Sequence, residues 1–130
     1  KKLFKSGLSL KTLLFNTIHH QGVIYPIQIF KKFKYNEELK AISDYELNLK
    51  LFLQGYKSES LKKICVKVSN QGISNTIPKR KIINEFNTSR INAFPKIYYL
   101  IALFLNIIFY LYYFYKNLSE FNKKKFFCIF

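Results

Sequence analysis

The residues best suited to chemistry are carboxylates and histidines in the first half of the chain. Asp44 and Glu46 lie two positions apart, and His19 and His20 are adjacent. Residues two apart on a helix point to different sides, so Asp44 and Glu46 cannot act as a carboxylate pair. Adjacent residues on a strand face opposite ways, so at most one of the two histidines faces a shared site. No further ligand stands at a metal-binding spacing, and a zinc site is not expected.

Local signals place Asp44 at the start of a helix. Ser43 and Glu46 have the spacing of a capping box, and Gly55 stands where a helix C-cap is needed. These signals predict a helix over residues 44–54, and they assign Glu46 to the cap. The helix dipole at this end favours an ionised Asp44. One apolar stripe follows at helical spacing, formed by Tyr45, Leu49, Phe52 and Leu53.

The elements around this helix are predicted from their residue types. β-forming residues predict a strand from Thr17 to Tyr25. Pro26 then suits the first turn of a short helix that ends near Phe33. A second strand is predicted over residues 60–69, with a loop after it. The first part of the chain is therefore expected to be α/β.

Three regions divide the chain: a mixed α/β part at 1–75, a basic helical connector at 76–94, and an apolar part with a basic tail at 95–130. Ile97 to Tyr115 carries no charge and is just long enough to cross a bilayer core. Only Asn106 interrupts it. Its many tyrosines also suit a helix that lies in the membrane plane, and lysines and arginines on both flanks predict no orientation.

The net charge of +15 comes from twenty lysines and only two arginines. Base readout in DNA depends heavily on the arginine fork, so no nucleic acid partner is expected. Membrane lipid and phosphorylated ligands suit the charge better, although an AT-rich coding bias with a solvated lysine surface also explains it. Cys65 and Cys128 form no zinc or redox spacing, and two free thiols are typical of a reducing cytoplasm.

Three segments follow one another in a recognisable pattern: residues 18–25, which contain a His-Gln pair, residues 35–47, which contain Asp-Tyr-Glu, and residues 71–74, which read Gln-Gly-Ile-Ser. In order and spacing they resemble the C-terminal half of family 2 glycosyltransferases of bacterial polysaccharide synthesis. That family has a His-Gln strand, a short helix, an Asp-Tyr-Asp/Glu phrase and a Gly-Gly-Ile/Val-Ser loop in this order. The chain departs from the pattern at Asn36, where an Asp is frequent, and at Gln71, where a Gly is usual.

The resemblance implies a GT-A fold, in which an N-terminal half binds the nucleotide and an Asp-x-Asp motif holds a divalent cation, Mg²⁺ or Mn²⁺. This chain has no such motif, begins with Lys1 and contains no methionine. We therefore expect the acceptor-side piece of a longer enzyme, inactive by itself, with the nucleotide and metal sites on the missing half.

The resemblance also implies roles for individual residues. Asp44 matches the base that takes a proton from the acceptor hydroxyl during inverting transfer, a task that suits a carboxylate. His20, Gln21, Gly72 and Ser74 match residues that line the donor or acceptor site. The expected partners are a nucleotide sugar, a saccharide or lipid-linked acceptor, and lipid at the cytoplasmic face of a bacterial membrane.

Two other interpretations stay open at this stage. A small basic membrane-bound adaptor without chemistry fits the apolar run and the charge equally well. A lysine-rich nucleic acid binder would show an affinity that falls steeply with added salt.

Overall fold

A computed structural model describes residues 7–18, 20–59 and 76–126, with side chains described as far as residue 119. Within these ranges the chain forms four α-helices: α1 (Ile27–Lys32), α2 (Ser43–Leu53), α3 (Lys79–Ala93) and α4 (Tyr99–Phe126). Three short 3-10 turns accompany them, at Leu10–Leu13, His20–Gly22 and Lys96–Tyr98.

The expected α/β fold of GT-A type is wrong, because the described residues are helical and form no strand. A 3-10 turn, His20–Gly22, stands within the segment that was predicted as the first strand. β-forming residues give a stable strand only beside a partner strand. Here Ile18 is buried, and Tyr25 donates a hydrogen bond to Asn48 of α2, so side chains anchor the segment to a helix. The second predicted strand and His19 lie outside the described residues.

The helix predicted around Asp44 is confirmed to within one residue at each end, and so is the short helix after Pro26. α2 ends in a Schellman motif, in which Tyr56 N–H donates to the Leu51 carbonyl and Gly55 N–H donates to the Phe52 carbonyl, each at 3.0 Å. Gly55 has a φ of +78°, a conformation that only glycine adopts without strain.

The capping box predicted at the start of α2 is wrong, since no side chain caps this end. Glu46 is buried and turns instead towards Lys50, one helical turn later, with which it forms a salt bridge. The side-chain amides of Asn36 and Asn92 donate to the same carboxylate at 3.1 and 3.4 Å. A buried carboxylate requires such partners, and they draw Glu46 away from the cap.

α2 is the central helix and buries side chains on two sides. Tyr45 packs on Phe86 of α3 with ring centroids 4.5 Å apart, and Phe86 packs on Phe109 of α4 at 4.7 Å. On the other side, Leu47 packs with Ile29 of α1. The residues expected to form a connector therefore contain a helix, α3, that packs on both α2 and α4.

A fully buried arginine joins α3, α4 and the first turn of the chain. The Arg90 guanidinium donates to the Leu13 carbonyl at 3.0 Å, the Leu14 carbonyl at 2.7 Å and the Asn106 side-chain oxygen at 3.0 Å. It also lies 4.3 Å from the Phe109 ring centroid. Burial lowers the pKa of Arg90 below its usual value. Asn106, the polar residue that interrupts the apolar run, is thus a hydrogen-bond partner of the buried Arg90.

Candidate functional site

Asp44 lies in the first turn of α2, where two hydrogen bonds fix the direction of its carboxylate. Oδ2 accepts from the Asn16 side-chain amide at 2.8 Å, and Oδ1 accepts from the Tyr45 backbone N–H at 2.9 Å. The side chain is 13% exposed. A carboxylate has about four lone-pair positions, so an oriented and partly open Asp44 still has acceptor capacity for a ligand.

His20 lies at the open side of this carboxylate. Its Nδ1 is 3.8 Å from Asp44 Oδ2, and the imidazole is 59% exposed. The 3-10 turn at 20–22 positions it, and the same turn carries the exposed Gln21. The structure thus brings His20 and Asp44 together across α1, which separates them in the chain. Gly72 and Ser74, the other residues expected here, lie outside the described residues.

A chain of hydrogen bonds supports Asp44 from behind. The Tyr25 hydroxyl donates to Asn48 Oδ1 at 2.7 Å, and Asn48 Nδ2 donates to Asn16 Oδ1 at 3.5 Å. Asn16 in turn donates to Asp44. Asn48 is fully buried, so this network is part of the packed interior. We call Asn16, His20, Tyr25, Asp44 and Asn48 the Asp44 cluster.

The charge of Asp44 acts on two phenols, Tyr25 within the Asp44 cluster and Tyr35 outside it. Burial raises the pKa of Tyr25 above its usual value, and the nearby Tyr35 and Asp44 raise it further, against the hydrogen bond with Asn48. The pKa of Tyr35 is also raised, first by burial and then by Asp44. Both hydroxyls are therefore neutral at physiological pH. The Tyr25 hydroxyl already donates its proton to Asn48, so of the two only the Tyr35 hydroxyl can donate a hydrogen bond to a ligand.

Three residues of the Asp44 cluster were missed by sequence reasoning: Asn16, Tyr25 and Asn48. Asn48 could have been found from the sequence, because it stands four positions after Asp44 and so shares its face of α2. Asn16 could not have been found in this way, since it reaches Asp44 only through the folding of the chain between them.

Two concavities lie beside α2, and Asp44 lines neither. One, of about 320 Å³, is mostly apolar and is bounded by α2 and the chain that enters α4. The other, of about 600 Å³, is open and lined by lysines together with the Glu46 carboxylate. Lys50 borders both. No residue of the Asp44 cluster lines either concavity, so the cluster is a partly exposed surface site.

Within the described ranges, no three His, Cys, Asp or Glu side chains lie close enough together to hold a metal ion. The Mg²⁺ or Mn²⁺ that the resemblance implies is expected on other residues, so this finding does not test that expectation.

Comparisons with known proteins found no match. No protein-family model matches the chain, and no match was found among curated proteins or solved structures. The resemblance to glycosyltransferases therefore depends on the three sequence segments described above.

Proposed function

We propose that this chain supplies the acceptor-side base of a glycosyltransferase. The enzyme would transfer a sugar from a nucleotide-diphosphate donor to a saccharide or lipid-linked acceptor, with inversion. The main support is that His20 and Asp44, both expected at one site, lie close together. The His20 Nδ1 is 3.8 Å from Oδ2 of the oriented Asp44 carboxylate. The donor nucleotide and its metal are left to residues outside this chain.

The proposed step uses the Asp44 carboxylate as a general base. The acceptor hydroxyl gives its proton to Asp44 while its oxygen attacks the anomeric carbon of the donor sugar. The bond from that carbon to the diphosphate oxygen breaks, and the electron pair leaves with the nucleoside diphosphate. Asn16 and the Tyr45 N–H hold the carboxylate in one direction, which keeps the reacting oxygen in line for the transfer.

Residues around Asp44 suit a saccharide. Tyr35 is 41% exposed and offers a ring and a neutral hydroxyl whose pKa the Asp44 charge raises. His20 and Gln21 offer exposed polar groups on the 3-10 turn beside Asp44. Such groups can position the hydroxyls of a sugar so that one of them faces Asp44.

The proposed location is the cytoplasmic face of a bacterial membrane, with lipid as a partner. α4 exposes many large apolar side chains, and the chain carries a net charge of +15. An apolar helix attracts hydrocarbon, and lysines attract anionic headgroups.

The replacement of Asp44 by Asn tests the proposed base in the full-length enzyme. Membranes from cells that express it would be given UDP- and GDP-sugars, and nucleoside diphosphate release would be measured. Asn keeps the size of the side chain but cannot take the proton. We expect the rate to fall by about 10²–10⁴, the usual contribution of a general base.

Glu37→Gln is the matched control, because it removes one carboxylate from an exposed position nearby. Its rate should equal that of the wild type, and circular dichroism should be the same for all three proteins. A wild-type rate in Asp44→Asn, or no release from any nucleotide sugar by the wild type, would refute the proposal.

A further inference from the structure

α4 is held against the rest of the molecule along the middle of its length. Ala102 and Phe109 are buried, Asn106 is bonded to Arg90, and Tyr113 packs on the same core. The four α4 residues follow each other at intervals of four, three and four, so they form one stripe on one face of the helix. Most of the apolar segment is exposed: only 11% of its apolar window, packed stripe included, is buried.

This packing conflicts with a helix that crosses the bilayer. The apolar segment Lys96–Ser119 has 24 residues, which at 1.5 Å per residue gives about 36 Å, enough to span. Asn106 stands near its midpoint, so a spanning α4 would carry its partner Arg90 to the bilayer centre. Charged groups and polar backbone are costly there. A spanning helix would have to leave α3 and expose its Asn106 side chain to lipid.

The side chains of α4 are sorted around the helix axis. At about 100° per residue, the face opposite the packed stripe carries four large apolar residues and one tyrosine. The apolar members are Leu100, Phe104, Leu111 and Leu118, which are 46–78% exposed, and the tyrosine is Tyr115, towards the end of the apolar segment. Tyr99 and Tyr110 lie on one side between the two faces, and Tyr112 lies on the other. Tyrosine prefers the headgroup level of a membrane, so this order fits a helix with its outer face turned into the hydrocarbon.

Basic residues stand where lipid headgroups would be. Lys96 precedes α4 and the exposed Lys116 follows its apolar part. α3 runs antiparallel to α4, because Phe86 meets Phe109 while Arg90 meets Asn106. The exposed basic run at the start of α3, residues 79–81, therefore lies towards the end of α4 that carries Lys116. Lysines and arginines at these positions would be attracted to an anionic membrane surface.

We propose that α4 lies in the plane of an anionic bilayer surface. Leu100, Phe104, Leu111 and Leu118 enter the hydrocarbon, the tyrosines on its flanks lie at headgroup level, and the stripe through Asn106 stays on α3. This arrangement is typical of in-plane amphipathic helices. It deepens the proposed membrane association and does not depend on the proposed sugar transfer, so either can fail without the other.

Tryptophan fluorescence offers a direct test, because the chain contains no tryptophan. Single replacements at Leu100, Tyr110, Leu111 and Leu118 would report depth on vesicles of phosphatidylcholine and phosphatidylglycerol. Quenching would come from nitroxide lipids labelled high or low on the acyl chain. An in-plane α4 places Trp at 100, 111 and 118 at one depth. It places Trp at 110 shallower than its neighbour at 111 by roughly 6 Å, about the radius of a helix.

The opposite pattern would overturn the proposal. A spanning helix puts positions 110 and 111 at nearly the same depth, and it puts 100 and 118 shallower than 111. Absence of quenching at all four positions would mean that the face is covered by protein, and a doubled mass in solution would then identify a second copy as the occupant. Equal binding to vesicles of phosphatidylcholine alone would refute the requirement for anionic lipid.

Discussion

Tyr45 illustrates how the core controls single residues. It is fully buried, its ring packs on Phe86, and its hydroxyl donates to the Leu13 carbonyl at 2.9 Å. Burial raises the pKa of Tyr45 to about 12, against the opposing effect of the Arg90 charge. The side chain therefore keeps its proton in the folded protein at a pH where an unfolded chain has lost it.

This difference predicts a loss of stability in alkaline solution. The Tyr45 pKa is near 10 in the unfolded chain and about 12 in the folded protein, so between these values the folded state binds more protons. The free energy of unfolding should then fall as the pH rises, by up to about 1.4 kcal/mol per pH unit from this residue. Urea denaturation at several pH values in this range measures the slope.

Tyr45→Phe should reduce that slope, because phenylalanine does not titrate. It should lower stability at neutral pH by only about 1 kcal/mol, since the Leu13 carbonyl keeps its bond from Arg90. Tyr110→Phe, at an exposed position, should leave the slope unchanged. Equal slopes in the wild type and Tyr45→Phe would contradict the prediction.

Among the elements, α3 is joined to the loop before α2 by one carboxylate. Glu85 accepts backbone N–H groups from Lys40 at 3.2 Å and Ala41 at 2.9 Å, and it is buried. Hydrogen bonds to a charged group contribute about 1.5–3 kcal/mol, so Glu85→Gln should lower stability by an amount in this range. Hydrogen exchange at the Lys40 and Ala41 amides should become faster, while other core amides change less.

The exposed Glu37→Gln again serves as control and should leave both amides protected. If Glu85→Gln leaves the exchange of the Lys40 and Ala41 amides as slow as in the wild type, the Glu85 carboxylate does not stabilise the loop.

The sequence predicts an element well where its ends carry their own signals. α2 was placed to within a residue because Gly55 supplies the left-handed C-terminal turn that the chain needs there. The strand predicted from Thr17 failed because β-forming residues do not specify a partner. Glu46 was misassigned because its spacing from Ser43 says nothing of the burial that pairs it with Lys50. The ends of a helix depend on residues next to them in the sequence, whereas the partner of a strand or of a buried side chain depends on the whole fold.

The same limit applies to the candidate site. Asp44 and His20 were named from the sequence, and the structure brings them together. Asn16, which orients the carboxylate, is distant in the chain and belongs to no motif, so only the fold shows its contact.

On the scale of the whole molecule, Arg90 joins α3 to α4 and to the first 3-10 turn with the residue after it. Arg90→Met would leave the Leu14 carbonyl and the Asn106 side chain without the donors they have in the core. We expect a loss of roughly 2–6 kcal/mol, because each of the two buried polar groups left without a donor costs about 1–3 kcal/mol. Arg80→Met, at the exposed start of α3, should stay within about 0.5 kcal/mol of the wild type. Chemical denaturation in mild detergent, followed by circular dichroism, measures both.

A second replacement separates pairing from packing. Asn106→Leu should destabilise the wild type but cause a much smaller loss in the Arg90→Met protein, because the amide then has no partner to lose. Additive effects of the two replacements would show that Arg90 and Asn106 do not stabilise each other.

The contact between Arg90 and Asn106 also restricts how this sequence can diverge. An apolar residue at 106 removes one of the acceptors of the enclosed Arg90 guanidinium, and a neutral apolar residue at 90 leaves the Asn106 amide without its donor in an apolar contact. Related sequences in which one of these two residues is replaced should therefore be more stable when the other residue is replaced as well. Substitutions at these positions are expected to be inherited in pairs.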